Sequence, residues 1–310
     1  MTRSRSALAA VGVCLVIAAG LVAVLTVHGR AASRPPAAAP AAATRSPASR
    51  KPTAANGLAS HRPHADPFGP AAASYVATRA GTVLAAIYDL ETGQTWSLGT
   101  GPPQAEASVV KLDVLETLLA ERGGSSPAGL SASDQSLAQQ MIEDSDNDAA
   151  TSLWYEVGGA AKISSFNAAV GLKSTIPSSC VVCANFPWPG WGLTTTVPTD
   201  QLALLRELVV PGPLLTGAER TYALSLMENV TPSQRWGVSG GVPPQATVAL
   251  KNGWLPLDST GNDWQVNSVG WISGRGRDYL LAVLTTGNPA EQYGIDTIDG
   301  LAALVWQHMG

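Results

Sequence analysis

The feature that most limits what this chain can fold into lies at its start: an uncharged apolar run of 21 residues, Ala7 to Val27, preceded by Arg3 and Arg5. At about 1.5 Å per residue a helix of that length reaches about 30 Å, the thickness of a bilayer core. A signal-peptide core is shorter, about 7–15 residues, so the length favours an uncleaved anchor, while Gly29-Arg30-Ala31 offers a cleavage site for a secretory signal (residues 1–30). Either route places the remainder outside the cytoplasm, anchored by residues 7–27 or secreted after cleavage. Cys14 follows Val13 inside the run and reads as an apolar membrane residue, not a lipid-attachment site.

Residues 31–70 are rich in Ala, Pro, Ser and Arg, with Pro35-Pro36, Pro40, Pro47, Pro52 and Pro63 and no apolar period. Such a segment buries too little surface to offset its ordering entropy and is expected to be a semi-extended tether, with His61 and His64 as solvated residues within it. That leaves residues 71–310, enough for one sizeable core. Charged residues are 14% of the chain and the net charge is -4. No basic stripe exists to follow a phosphate backbone, so nucleic acid is not an expected partner.

Within the expected domain, Thr82–Asp89 reads as a buried strand, Glu91-Thr-Gly93 as a turn and Gln94–Leu98 as the returning strand. From Ser108 the apolar spacing becomes helical, through Val109, Leu112, Leu115, Leu118 and Leu119, until Gly123-Gly124 stops it. Further helices are expected over Ser133–Glu143, Asp146–Val157, Ala160–Val170 and Thr199–Val209, and another from Thr216, which has capping-box spacing with Glu219. Strands return at Thr247–Leu250, Trp264–Ser273 and Tyr279–Thr285, before a closing helix over Ala290–His308. Strands at both ends with helices between give an α+β fold, its antiparallel sheet built from both ends of the domain around an all-helical middle.

Histidines occur at 28, 61, 64 and 308. Only His308 falls in the expected domain, which argues against a Ser-His-Asp triad and against a zinc hydrolase. Cys180 and Cys183 have no second pair for a metal site and read as a local disulfide in an oxidising compartment. No metal or organic cofactor is implied.

A hydrolase without histidine can use lysine as its base. In Ser108-Val-Val-Lys111 the positions i and i+3 share one helix face, and both the helix N-terminus and burial push the amine toward its neutral form. The backbone N–H of Ser108 is a candidate oxyanion donor. Ser145-Asp146-Asn147 offers a second hydroxyl and an amide, or simply a helix N-cap. Lys251-Asn252-Gly253 places a cation on a strand beside a glycine that allows close approach, or is simply a strand ending in a turn. Trp254 shares a strand face with Asn252 and either narrows a cleft or packs in the core.

Together these elements resemble the Ser-x-x-Lys, Ser-Asp-Asn and Lys-Thr-Gly signature of class A β-lactamases and their penicillin-binding relatives. Two of the chain's five lysines fall on the required positions. The resemblance implies a β-lactamase-like fold over about residues 75–310, with Ser108 acylated, Lys111 as base, Ser145 as proton relay, Asn147 touching substrate and Lys251 binding its carboxylate, assisted by Asn252 and Gly253. It implies a small-molecule or peptide substrate, a β-lactam or cell-wall amide, and a monomer. The chain departs from the family in a Ser108–Ser145 spacing of only 37 residues, in Asn252 for the family's hydroxyl, and in having no Asp or Glu between Val157 and Thr199, where class A enzymes carry the deacylating glutamate. That stretch instead holds Phe186-Pro-Trp-Pro-Gly-Trp191, whose Trp188 and Trp191 line a groove or merely pack. Three readings follow: a serine hydrolase that turns over by another arrangement, a penicillin-binding protein that deacylates slowly, and a cell-surface binding domain that lost turnover.

Overall fold

The computed structural model describes residues 64–123, 129–183, 186–258 and 261–309, so the apolar run 7–27 and most of the expected tether lie outside it. Among the described residues no helix is long and apolar enough to cross a membrane.

A five-stranded antiparallel sheet forms the centre: β1 (Thr82–Asp89), β2 (Thr95–Leu98), β5 (Thr247–Pro256), β6 (Trp264–Gly274) and β7 (Arg277–Asn288), in the order β2-β1-β7-β6-β5. The first and last segments thus meet at β1–β7, and β5 forms an edge. A short pair, β3 (Gln104–Ala105) with β4 (Thr195–Thr196), stands apart from it. The middle of the chain supplies helices α2 (Val110–Arg122), α3 (Ala132–Glu143), α4 (Asn147–Glu156), α5 (Gly159–Val170), α6 (Pro198–Val209) and α7 (Gly217–Glu228). The α7 capping box between Thr216 and Glu219 forms as expected.

Strand alternation divides the core. Ala86, Leu280, Ala282, Ala249 and Val269 face the helical middle, where they join Leu112, Leu115, Leu119, Met141 and Leu153. The neighbouring strand positions Ala85, Ile87, Leu281, Val283 and Leu250 face the other way, onto Ile298, Leu301 and Val305 of α8 (Glu291–His308). Period two in the strands and 3.6 in the helices therefore assign each apolar residue to one of two layers.

The folded unit begins earlier than composition suggests. Phe68 and Ala72 are buried in the α8-side core, and α1 (Gly69–Ala77) packs there although no helix was expected. His64, read as a solvated tether residue, places Nδ1 2.7 Å from Asp89 Oδ2, and its backbone N–H donates to Gln94 Oε1. The domain start at 71 is accordingly moved to at least His64. Two or three apolar residues are too few to show a period, and their partners lie more than 200 positions along the chain. Cys180 and Cys183 form the expected disulfide.

Candidate active site

The nucleophile candidate sits on a sharp turn between β3 and α2. Ala107, Ser108 and Val109 form one 3₁₀ turn, and Ala107 has φ of +51°, a left-handed conformation that non-glycine residues adopt at a cost of order 1–3 kcal/mol. The turn is held from the sheet: Asn267 on β6 donates to the carbonyls of Ala105 (2.8 Å) and Glu106 (3.0 Å). It is also held by contact with β5. A Cβ on Gly253 would lie 2.6 Å from the Ser108 nitrogen and 2.7 Å from that of Val109. Gly253 therefore admits the backbone of the serine turn, where substrate had been expected.

Ser145 occupies the corner between α3 and α4 and is likewise left-handed, with φ of +59°. Asp146, not Ser145, caps α4, accepting from the Ala149 N–H at 2.7 Å. This corner turns the Ser145 carbonyl and hydroxyl toward Lys111. The Lys111 Nζ lies 2.5 Å from Ser145 O, 2.7 Å from Asn147 Oδ1 and 3.1 Å from Ser145 Oγ, with the Trp191 ring centroid at 5.1 Å. Lys251 reaches the same hydroxyl from β5, 2.9 Å from Ser145 Oγ and 2.9 Å from Asn252 O. One hydroxyl thus bridges two buried amines. Burial lowers the Lys111 pKa to about 6, helped by the Lys251 charge and opposed by Asp146. Burial alone brings Lys251 to about 7.

Ser108, Lys111, Ser145, Asn147 and Lys251 are brought together as expected, with two differences of contact. The hydrogen bonds of Lys111 go to Ser145 and Asn147 and none to Ser108, because the corner at Ser145 offers a fixed carbonyl within reach of the amine. Asn252 does not face the cleft: its amide donates to the carbonyls of Gln234 (2.7 Å) and Trp236 (3.0 Å). Strand alternation puts Asn252 on the side away from Lys251, and the loop there supplies acceptors that would otherwise be buried unpaired. Trp254 serves both roles that were weighed for it, lining the cleft and packing on Trp236 at 5.8 Å between centroids.

The cleft above Ser108 has a volume of about 340 Å³. Asn147 supplies a polar group, and the walls are aromatic: Phe186, Trp188 and Trp191 on one side, Trp254 and Trp264 on the other. Phe186 meets Trp188 and Trp191 edge to face at 5.7 and 5.4 Å, so the run forms one packed block. Among the described residues no carboxylate lines this space. Of the glutamates near the motifs in sequence, Glu156 pairs with Arg122 at the surface, and Glu106 lies fully buried behind the serine turn.

Sequence reasoning missed the Asn267 clamp and the burial of Glu106, Asp113 and Glu116 as a row of acids behind the serine turn and along α2. Burial raises all three pKa values, that of Asp113 to about 7, with mutual repulsion adding to the shift in Glu106 and Glu116. A helix face counted by its leucines gives no sign that acids share it.

A family model described as the beta-lactamase enzyme family matches residues 121–309, which contain Ser145 and Lys251 and begin beyond Ser108. LppW, a candidate lipoprotein of Mycobacterium tuberculosis, is 30% identical over 210 residues, covering 65% of this chain and 62% of its own length. The chain therefore spans less than two thirds of that relative. The carbapenem-hydrolyzing beta-lactamase KPC of Klebsiella oxytoca is 25% identical over 174 residues, 56% of this chain and 58% of that protein. A beta-lactamase from Xanthomonas campestris superposes with a TM-score of 0.62 at 21% identity, over 77% of this chain and 96% of its own. PBP-A does so with 0.59 at 22% identity, over 76% and 92%. The structural likeness establishes the β-lactamase-like α+β fold, and the family match, extending over more than half of the sequence, shows that this chain belongs to the beta-lactamase enzyme family.

Proposed function

We propose that the protein is an extracytoplasmic serine hydrolase that forms an acyl-enzyme on Ser108, acting on β-lactams or related cell-wall amides. The observation that carries this reading is the single Ser145 hydroxyl held between the two buried amines, 3.1 Å from Lys111 and 2.9 Å from Lys251, beside the serine turn. Burying two lysines together is costly, and a protein that only binds its ligand has no use for a neutral amine there.

In the proposed step, neutral Lys111 exchanges its Ser145 carbonyl contact for the Ser108 hydroxyl and takes its proton as Oγ attacks the carbonyl carbon. The C–O bond forms and the C–N bond breaks. The proton passes from Lys111 through Ser145 Oγ to the leaving nitrogen, and Lys251 holds that hydroxyl in line. Asn147, its oxygen held by Lys111, offers its NH₂ to a substrate carbonyl. The Ser108 backbone N–H supplies one donor to the developing oxyanion. The extracytoplasmic placement rests on the apolar run 7–27, on the Cys180–Cys183 disulfide and on the lipoprotein designation of LppW.

A second reading, in which the acyl-enzyme hydrolyses slowly, is favoured by the absence of any carboxylate among the described residues lining the cleft. Intact mass spectrometry of the full chain with benzylpenicillin separates the readings. An adduct that decays as product accumulates shows turnover, and one that persists shows the slow enzyme. The Ser108→Ala protein gives no adduct; an equal adduct on that variant refutes acylation at Ser108.

A further inference from the structure

The cleft walls set conditions on the acyl donor that the catalytic residues do not. Five aromatic side chains surround Ser108, and no Lys, Arg or His lines the space among the described residues. The indole N–H groups are largely committed elsewhere: Trp188 donates to Asp148 Oδ1 (3.3 Å), Trp191 to Thr151 Oγ1 (3.2 Å) and Trp264 to Gly261 O (2.8 Å). These rings therefore offer carbon surface to a ligand.

The groups that would receive a carboxylate are also committed. Lys251 is buried, with Nζ on Ser145 Oγ and Asn252 O. The amide of Asn252, at the position where the family signature carries a hydroxyl, is turned to the carbonyls of Gln234 and Trp236. Of the ionisable groups that touch the aromatic wall, Asp148 is an acid and Lys111, over the Trp191 ring, is committed to Ser145 and Asn147. A carboxylate brought into this space loses its water and gains no cationic partner among the described residues that line it.

We infer, on the reading that Ser108 is acylated, that the cleft selects uncharged acyl donors carrying an apolar ring and disfavours donors with a carboxylate beside the scissile bond. Ring faces of the donor stack against Trp188 and Trp254 while the carbonyl meets Asn147 and the Ser108 turn. The covalent step is unchanged: the Ser108 Oγ–acyl bond forms, the bond to the leaving group breaks, and the serine proton leaves on that group.

The test compares benzylpenicillin with its methyl ester on the full chain, reading the rate of Ser108 acylation by mass spectrometry, with a small fluorophosphonate as a probe of the serine alone. The ester is expected to react faster by about tenfold, the scale on which a single pocket contact discriminates. A faster reaction with the free acid overturns the inference. If neither penicillin acylates, the comparison is made with 4-nitrophenyl phenylacetate against 4-nitrophenyl hydrogen succinate, and failure of the phenylacetate to react faster also overturns it. The fluorophosphonate keeps the two claims apart. Its failure to label Ser108 refutes the proposed nucleophile, whereas labelling combined with a preference for the acid refutes only the selectivity.

Discussion

The floor and the walls of the cleft were shaped by different demands. The floor is polar, buried and dense: Lys111, Ser145, Asn147 and Lys251 are linked by short hydrogen bonds and match the family signature residue for residue. The walls depart from that signature, with a block of aromatics where a deacylating glutamate is expected and an asparagine turned away where a hydroxyl should meet substrate. On the proposed reading, the difference teaches that making an acyl-enzyme and choosing its acyl group are separable in this chain. Proton transfer needs fixed distances, which the floor keeps, whereas recognition needs only a shape and a polarity, which a loop and one sheet edge can replace.

The sharpest way to break this comparison is at the floor. Lys111→Met should reduce Ser108 acylation by about 10³-fold, the usual range for loss of a general base. In the wild-type protein, acylation should rise with pH through about 6 as Lys111 loses its proton. The same shift carries a stability signature. The folded state holds fewer protons than the unfolded state between about 6 and the ordinary lysine value of 10.5, so stability rises with pH across that window. The variant loses the Lys111 share of this pH dependence while the Lys251 share remains, and its gain in Tm over wild type should be larger at pH 7 than at pH 10. Thermal unfolding at the two pH values checks it.

Gly253→Ala should come next. Its Cβ meets only backbone, 2.6 Å from the Ser108 nitrogen and 2.8 Å from Glu106 O, so the serine turn must move. Displacement of reacting groups by about 1 Å costs on the order of 10²-fold. Labelling by the small fluorophosphonate should fall along with substrate acylation, because the turn itself is disturbed.

Trp188→Ala tests the walls. It should lower acylation by ring-bearing neutral donors by about tenfold and leave fluorophosphonate labelling unchanged. An equal loss with both probes would show that the aromatic block supports the floor rather than selecting the donor. Smallest is Glu116→Gln, remote from the cleft. Burial raises the Glu116 pKa, so the folded state holds a proton that the unfolded state releases above about 4.5, and stability falls as pH rises past that point. The variant should leave acylation unchanged and raise Tm by roughly a few degrees at pH 8, with a smaller gain at pH 4.

Much of this was legible without coordinates. Apolar runs gave β1, β6 and β7 close to their observed bounds because these strands are buried on both faces, and helical spacing gave α3 to α8 because each helix buries one face whose pattern is written locally. The motif residues were legible for a different reason: a serine three positions before a lysine on one helix turn is a local arrangement with few chemical uses where no histidine stands beside it. Where local pattern was thin, expectation and structure parted. His64 and Phe68 lie in a stretch whose composition suggests a tether, and their partners are Asp89 and the distant α8.

Sequence alone determined the fold class, the nucleophile candidate and the kind of base it can have, since these follow from residue type and near-neighbour spacing. Tertiary structure alone decided what the site can hold. Only packing showed that one hydroxyl joins two amines, that Gly253 receives the serine turn, that Asn252 faces away, and that the run Phe186–Trp191 closes the cleft from across the chain. Those facts depend on which surfaces meet at distances of a few ångströms, and residues far apart in the chain carry no local record of that meeting.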